Sequence, residues 1–183
     1  MLPPVRPFRN ASCLLTLLAC ATLSSAQIPG VTRDIPYTTD ATGSYAADLY
    51  DPPTPGVHPA VVAIHGGSWR SGHKSELRHL CTDLATHGYV CFSIDYDTHP
   101  RSFPVSWEES RAAVAFLRAH AAEYHVDPDR IAVLGTSAGG QLAALAATSC
   151  GVAALKPSSK NSGAGAAAPE PQESECVQAA VGW

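Results

Sequence analysis

The chain has 183 residues, 45% of them hydrophobic, and a formal net charge of −4. That is enough chain for one domain with a buried core. The mild acidity offers no basic patch of the kind that nucleic acid or an anionic membrane surface needs, so neither is expected as a partner.

In chain order, Arg6 and Arg9 precede an apolar run from Ala11 to Leu23. The run falls short of the roughly 20 residues that span a bilayer. Ser24-Ser25-Ala26 then supplies small residues at a cleavage site. Residues 1–26 read as a secretory signal peptide, which makes the protein a secreted one with its mature start near Gln27. Leu17-Leu18-Ala19-Cys20 also resembles a bacterial lipobox. Lipid anchoring through Cys20 is therefore the alternative localisation. The folded domain occupies residues 27–183.

Val31–Thr38 and Ser44–Tyr50 read as two strands joined by a turn at Ala41-Thr42-Gly43. Pro59–Ile64 is a continuous apolar run, the pattern of a strand buried on both faces of a parallel sheet. A loop from His65 to Gly72 follows. Leu77, Leu80, Cys81 and Leu84 then stripe one face of a helix. Tyr89–Tyr96 is the next apolar strand. Ser106 and Glu109 have the spacing of a capping box, ahead of a helical face made by Val114, Leu117, Ala121 and Tyr124. Asp127-Pro128-Asp129 reads as a turn, and Ile131–Leu134 as a third buried strand. Gly135 to Gly140 turns into a helix carrying Leu142 and Leu145. Strand and helix alternate throughout, so the fold class is α/β, a mostly parallel sheet with helices on both faces. Residues 156–175 are rich in Ala, Gly, Ser and Pro and read as a flexible loop. Val177–Trp183 reads as a further buried strand. With no helix after it, residues 177–183 would form an exposed edge open to self-association.

Of the six cysteines, Cys13 and Cys20 fall in the leader. Four remain for an oxidising compartment, with three connectivities open to them. Cys150 and Cys176 flank the low-complexity loop and are the preferred bridge. Cys81 and Cys91 sit in apolar helix and strand patterns, where buried free thiols are an equal alternative. No CxxC pair or Cys/His cluster points to a metal, and no nucleotide or flavin motif points to a cofactor.

Two motifs carry chemistry. Gly135-Thr136-Ser137-Ala138-Gly139 is a GxSxG run, which chance alone would give a chain of this length with a probability of ~6%. It follows a buried strand and opens a helix, the context in which such a turn lifts a serine out at the carboxyl end of a sheet. The alternative is an idle serine in a tight turn. His65-Gly66-Gly67-Ser68-Trp69 follows the first buried strand. A glycine loop there can aim the N–H groups of Gly66 and Gly67 at a developing oxyanion, with the Ala138 N–H as a third donor.

With these motifs, Asp95-Tyr96 and Asp127–Ile131, the stretch from about Pro59 to Leu145 resembles the α/β-hydrolases of the esterase/lipase group. Within that group it is similar to secreted carboxylesterases related to acetylxylan and feruloyl esterases. The resemblance implies Ser137 as the catalytic nucleophile of a carboxylic ester hydrolase. Gly66, Gly67 and Ala138 would form the oxyanion hole, and His65 would shape the loop without acting as base. It also implies a small-molecule or carbohydrate ester as substrate. Relatives often have a third glycine where Ser68 stands, and arginine where Asp97 stands. In this fold the acid and histidine follow the nucleophile in the chain. Residues 138–183 contain no histidine, and the later acids are Glu170, Glu173 and Glu175 in the low-complexity loop. The chain therefore reads as an N-terminal portion of the fold without the triad acid and histidine. The alternative is a catalytically inactive fragment that binds a ligand or a partner.

Overall fold

The computed structural model describes residues 29–99, 103–152 and 174–183. The leader read at 1–26, with Cys20, and most of the loop read at 156–175 lie outside them. Six strands form one sheet: β1 (Gly30–Thr39), β2 (Ser44–Asp51), β3 (His58–Ile64), β4 (Val90–Ile94), β5 (Val126–Gly135) and β6 (Ala179–Gly182). The order across the sheet is β1-β2-β4-β3-β5-β6. β2 is antiparallel to both of its neighbours, β1 and β4, whereas β4, β3, β5 and β6 run parallel to one another. Three helices make the crossovers: α1 (Arg78–Thr86), α2 (Val105–Ala119) and α3 (Ala138–Thr148).

The chain leaves β3 to one side to form β4, then returns past β3 to form β5. Because crossovers are right-handed, this reversal puts their helices on opposite faces. Side chains alternate across a strand, so each face has its own core. Ala63 and Cys91 pack with Leu77, Cys81 and Ala85 on the α1 face. Val62, Ile64, Phe92 and Ile94 pack with Val114, Leu117, Leu142 and Ala143 on the α2–α3 face. Each fully buried Val, Leu, Ile or Phe among them contributes about 1.5–3 kcal/mol.

Three local readings are corrected, and one that was open is resolved. The Ser106–Glu109 spacing is not a capping box: Pro104 is the residue ahead of the helix and no side chain caps it. Ser106 and Glu109 are both buried within α2. Asp127-Pro128-Asp129 lies inside β5, where the register jumps from His58↔Val126 to Ala60↔Ile131. The segment bulges from the ladder, and the Asp129 N–H still closes onto Asp127 Oδ1 at 3.0 Å as a turn would. The strand expected over 177–183 is shorter and exposed along its length. Finally, Cys81 and Cys91 are bridged, because α1 crosses the face to which Cys91 points.

Cys150, just past α3, is bridged to Cys176. Next to this bridge Arg118 donates to the Cys176 carbonyl at 2.7 Å, and the buried Arg111 pairs with Glu175. Residues 174–176, the described end of the expected flexible loop, are thus fastened to α2. The bridge closes a 26-residue separation. Replacing both cysteines by serine is expected to lower the unfolding free energy by about 3 kcal/mol, mainly by freeing the unfolded chain. Urea denaturation checks it, and the m-value should rise because the unfolded state expands.

Candidate active site

Open α/β sheets bind ligands beyond the carboxyl ends of the strands, where the chain's direction of travel across the sheet reverses. Here that point lies between β3 and β5. The loop after β3 begins with His65-Gly66-Gly67, and the turn after β5 carries Ser137. Both sequence motifs therefore meet at one place. A Cβ built on Gly66 would lie 3.3 Å from Ser137 Cβ and 3.0 Å from the Thr136 carbonyl oxygen.

Ser137 is exposed and has φ 53° and ψ −116°, a combination that a non-glycine residue holds only under strain. Its backbone is fixed from three sides. The Ser137 N–H donates to the Trp183 carbonyl at 2.6 Å, the Thr136 N–H to Ile64 at 3.3 Å, and the Gln141 N–H to the Ser137 carbonyl at 3.2 Å. The flanking glycines allow the close approach. A Cβ on Gly139 would sit 2.2 Å from the Ile64 oxygen, and one on Gly135 would sit 2.1 Å from the Gly139 oxygen. Ala138 is the first residue of α3, so its N–H has no acceptor within the helix, and the positive end of the helix dipole lies there.

The loop after β3 is shaped by hydrogen bonds on its carbonyls. His65 is buried, and its Nδ1 lies 2.7 Å from the Gly66 oxygen. A carbonyl only accepts, so the ring proton is on Nδ1. Burial also holds the imidazole below its usual pKa, which keeps it neutral. Its Nε2 is buried without a partner among the described residues, and the ring stacks on Tyr96 with centroids 4.3 Å apart. It is closed off as a base for Ser137.

In a trans peptide the C=O and N–H point in opposite directions. With the His65 and Gly66 carbonyls both engaged, the N–H groups of Gly66 and Gly67 face the other way. Neither donates to an acceptor among the described residues. Two successive N–H groups on one side form an anion-binding concavity. Gly67 makes the following turn possible at φ +117°, and its carbonyl accepts from Arg70 at 3.0 Å and Ser71 at 3.2 Å. Ser68 and Trp69 follow at φ 54° and 57°.

The other histidines sit elsewhere or are engaged. His79 and His87 are exposed on α1 and at its end, His125 is exposed in the turn ahead of β5, and His58 Nε2 lies 2.9 Å from the Thr54 oxygen. His120 Nδ1 lies 2.8 Å from the Phe116 oxygen at the end of α2, and His73 lies 3.5 Å from Asp95. His99 is exposed and its Nδ1 is 2.5 Å from the buried Asp97 carboxylate. Among the described residues no group of three His, Cys, Asp or Glu could hold a metal ion, and no helix is long and apolar enough to cross a membrane.

The BD-FAE family model matches residues 47–183. The chain is 42% identical over 94 residues to the probable carboxylic ester hydrolase LipM of Mycobacterium tuberculosis, covering 50% of this chain and 22% of that protein. It is 37% identical over 101 residues to the esterase LipQ of the same organism, covering 54% and 24%. The chain thus spans about a quarter or less of the length of these relatives. Among solved structures it resembles an esterase of Thermogutta terrifontis with propionate bound. There the identity is 25% and the TM-score 0.64, over 84% of this chain and 53% of that one. The same species' esterase 2 phosphorylated by paraoxon matches at 27% identity and a TM-score of 0.57, over 67% and 48%.

Proposed function

The chain belongs to the BD-FAE family, within the esterase group of α/β-hydrolases, and on that premise we propose that it carries the nucleophile and the oxyanion hole of a secreted carboxylic ester hydrolase. The observation that carries the reading is the strained, exposed Ser137 set against Gly66. Its hydroxyl oxygen attacks the ester carbonyl while a base takes its proton. The carbonyl oxygen becomes an oxyanion that accepts hydrogen bonds from Gly66, Gly67 and Ala138. The tetrahedral adduct collapses, the alkoxide leaves with a proton, and an ester to Ser137 remains. Water then attacks that acyl-enzyme and releases the acid.

Residues 138–183 hold no histidine, so no residue after Ser137 in this sequence is the base that the chain order Ser, acid, His calls for. A short acyl group is the substrate class this reading favours, since the similar Thermogutta esterase is described with propionate and with butyrate bound. Two disulfides among the described residues support work in an oxidising compartment, in line with a leader over residues 1–26.

The test is covalent labelling. The intact protein incubated with diethyl 4-nitrophenyl phosphate is expected to release one equivalent of nitrophenolate and gain one diethylphosphoryl group, which peptide mass spectrometry maps to Ser137. A folded protein that gains no group, or gains it elsewhere, would overturn the reading and favour a ligand-binding or partner-binding role.

A further inference from the structure

Beyond the groups assigned to the reaction, the segment Asp95-Tyr96-Asp97 is held with unusual thoroughness. The Tyr37 hydroxyl donates to the Asp95 carbonyl at 2.6 Å. The Asp95 carboxylate accepts the Lys74 N–H at 2.6 Å and lies 3.3 Å from the Lys74 ammonium. On the other side the Asp97 N–H donates to Glu109 Oε2 at 2.6 Å. Glu109 is buried, and its Oε1 has no partner among the described residues. Burial pushes its carboxyl up to about 9, with Asp40 and Asp97 adding to the effect, so it is neutral at pH 7. A buried carboxyl with an orphan oxygen is costly to the fold. Its contact with backbone is at the residue next to Tyr96.

Between these clamps the Tyr96 side chain reaches the oxyanion loop. Its hydroxyl donates to the His65 carbonyl at 2.9 Å and lies 3.5 Å from the Gly66 carbonyl, while its ring stacks on the His65 imidazole. The His65 carbonyl and the Gly66 N–H belong to one trans peptide, so fixing the first aims the second. We propose that Tyr96 is a positioning residue for the oxyanion hole, its hydroxyl setting the direction of the Gly66 N–H and its ring holding His65 onto the Gly66 carbonyl. The proposal rests on the esterase reading for its kinetic consequence, but its structural part stands apart from it.

The experiment compares intact wild-type protein with Tyr96→Phe, which keeps the stacked ring and removes one hydroxyl. Amide hydrogen exchange is read on the peptide holding Gly66 and Gly67, and is expected to quicken about 10-fold with the melting temperature little changed. Hydrolysis of 4-nitrophenyl acetate is expected to lose about 10-fold in kcat at constant KM. Affinity for a trifluoromethyl ketone, which forms an oxyanion on the serine, should fall by the same factor. Glu109→Gln, which keeps a neutral acceptor for the Asp97 N–H, should match wild type in all three. Exchange in Tyr96→Phe that equals wild type overturns the proposal whatever the turnover. So does a Ser137-dependent activity whose kcat and ketone affinity do not move. If wild type and Ser137→Ala hydrolyse the ester alike, the esterase reading has failed instead, and exchange alone decides the role of Tyr96.

Discussion

In the protein with its triad base in place, Ser137→Ala is expected to lower kcat for a chromogenic acetate ester by on the order of 10⁶-fold, the loss seen when a serine nucleophile is removed from a working site. The fold should not change with it. No side-chain hydrogen bond caps α3 from Ser137, and alanine has the same Cβ, so it suffers the same backbone strain. The unfolding free energy should therefore stay within about 0.5 kcal/mol of wild type. Ser137→Gly separates strain from chemistry. It should be equally inactive, yet more stable by about 1 kcal/mol, because glycine holds φ 53° and ψ −116° more easily. Turnover measured beside thermal unfolding checks both. Retained turnover in folded Ser137→Ala would remove Ser137 from the reaction. Loss of stability in Ser137→Gly would mean that the elbow is not strained.

How far the site was legible follows from which physical features are local. The runs Pro59–Ile64 and Ile131–Leu134 stood out because a strand buried on both faces must be apolar at every position. The two motifs stood out because close approach at Gly139 and at Gly66 demands glycine at fixed distances from Ser137. Their meeting point then follows from the order β4-β3-β5. The errors came where a short pattern has two physical meanings. Ser106 and Glu109 have cap spacing, but Pro104 already begins the helix, and Glu109 is turned inward to Asp97. The Asp127 turn is real in its hydrogen bond but lies within a strand, because β3 pairs with β5 on both sides of it. The Cys81–Cys91 bridge could not be read from spacing, since it depends on which face α1 covers. Tyr96 was visible only as part of a motif. Its contact with His65 spans 31 positions, and the one local hint was its place at the end of a buried strand, beside the loop that follows the neighbouring one.

A large loss of stability is expected at Gly139→Ala. The added methyl would meet the Ile64 oxygen at 2.2 Å, the His65 oxygen at 2.5 Å and the Ile64 carbonyl carbon at 2.8 Å. All three atoms are backbone at the end of β3, which pairs with a strand on each side, so none can rotate away. The cost should exceed about 4 kcal/mol, above the usual range for overpacking, because the sheet itself must move. Since β3 also leads into the His65-Gly66-Gly67 loop, the displacement would separate Ser137 from Gly66. Gly66→Ala provides the contrast. There the methyl would meet the Thr136 oxygen at 3.0 Å and Ser137 Cβ at 3.3 Å, contacts that a shift of a few tenths of an ångström relieves. That variant should fold with a loss of only about 1 kcal/mol. It should nonetheless lose on the order of 10²-fold in kcat, because the shift is taken between the proposed nucleophile Ser137 and the proposed oxyanion donor Gly66. Urea denaturation of both variants, with ester turnover on whatever remains folded, distinguishes the two. A stable, well-folded Gly139→Ala would show that the elbow does not sit as tightly on β3 as these distances require.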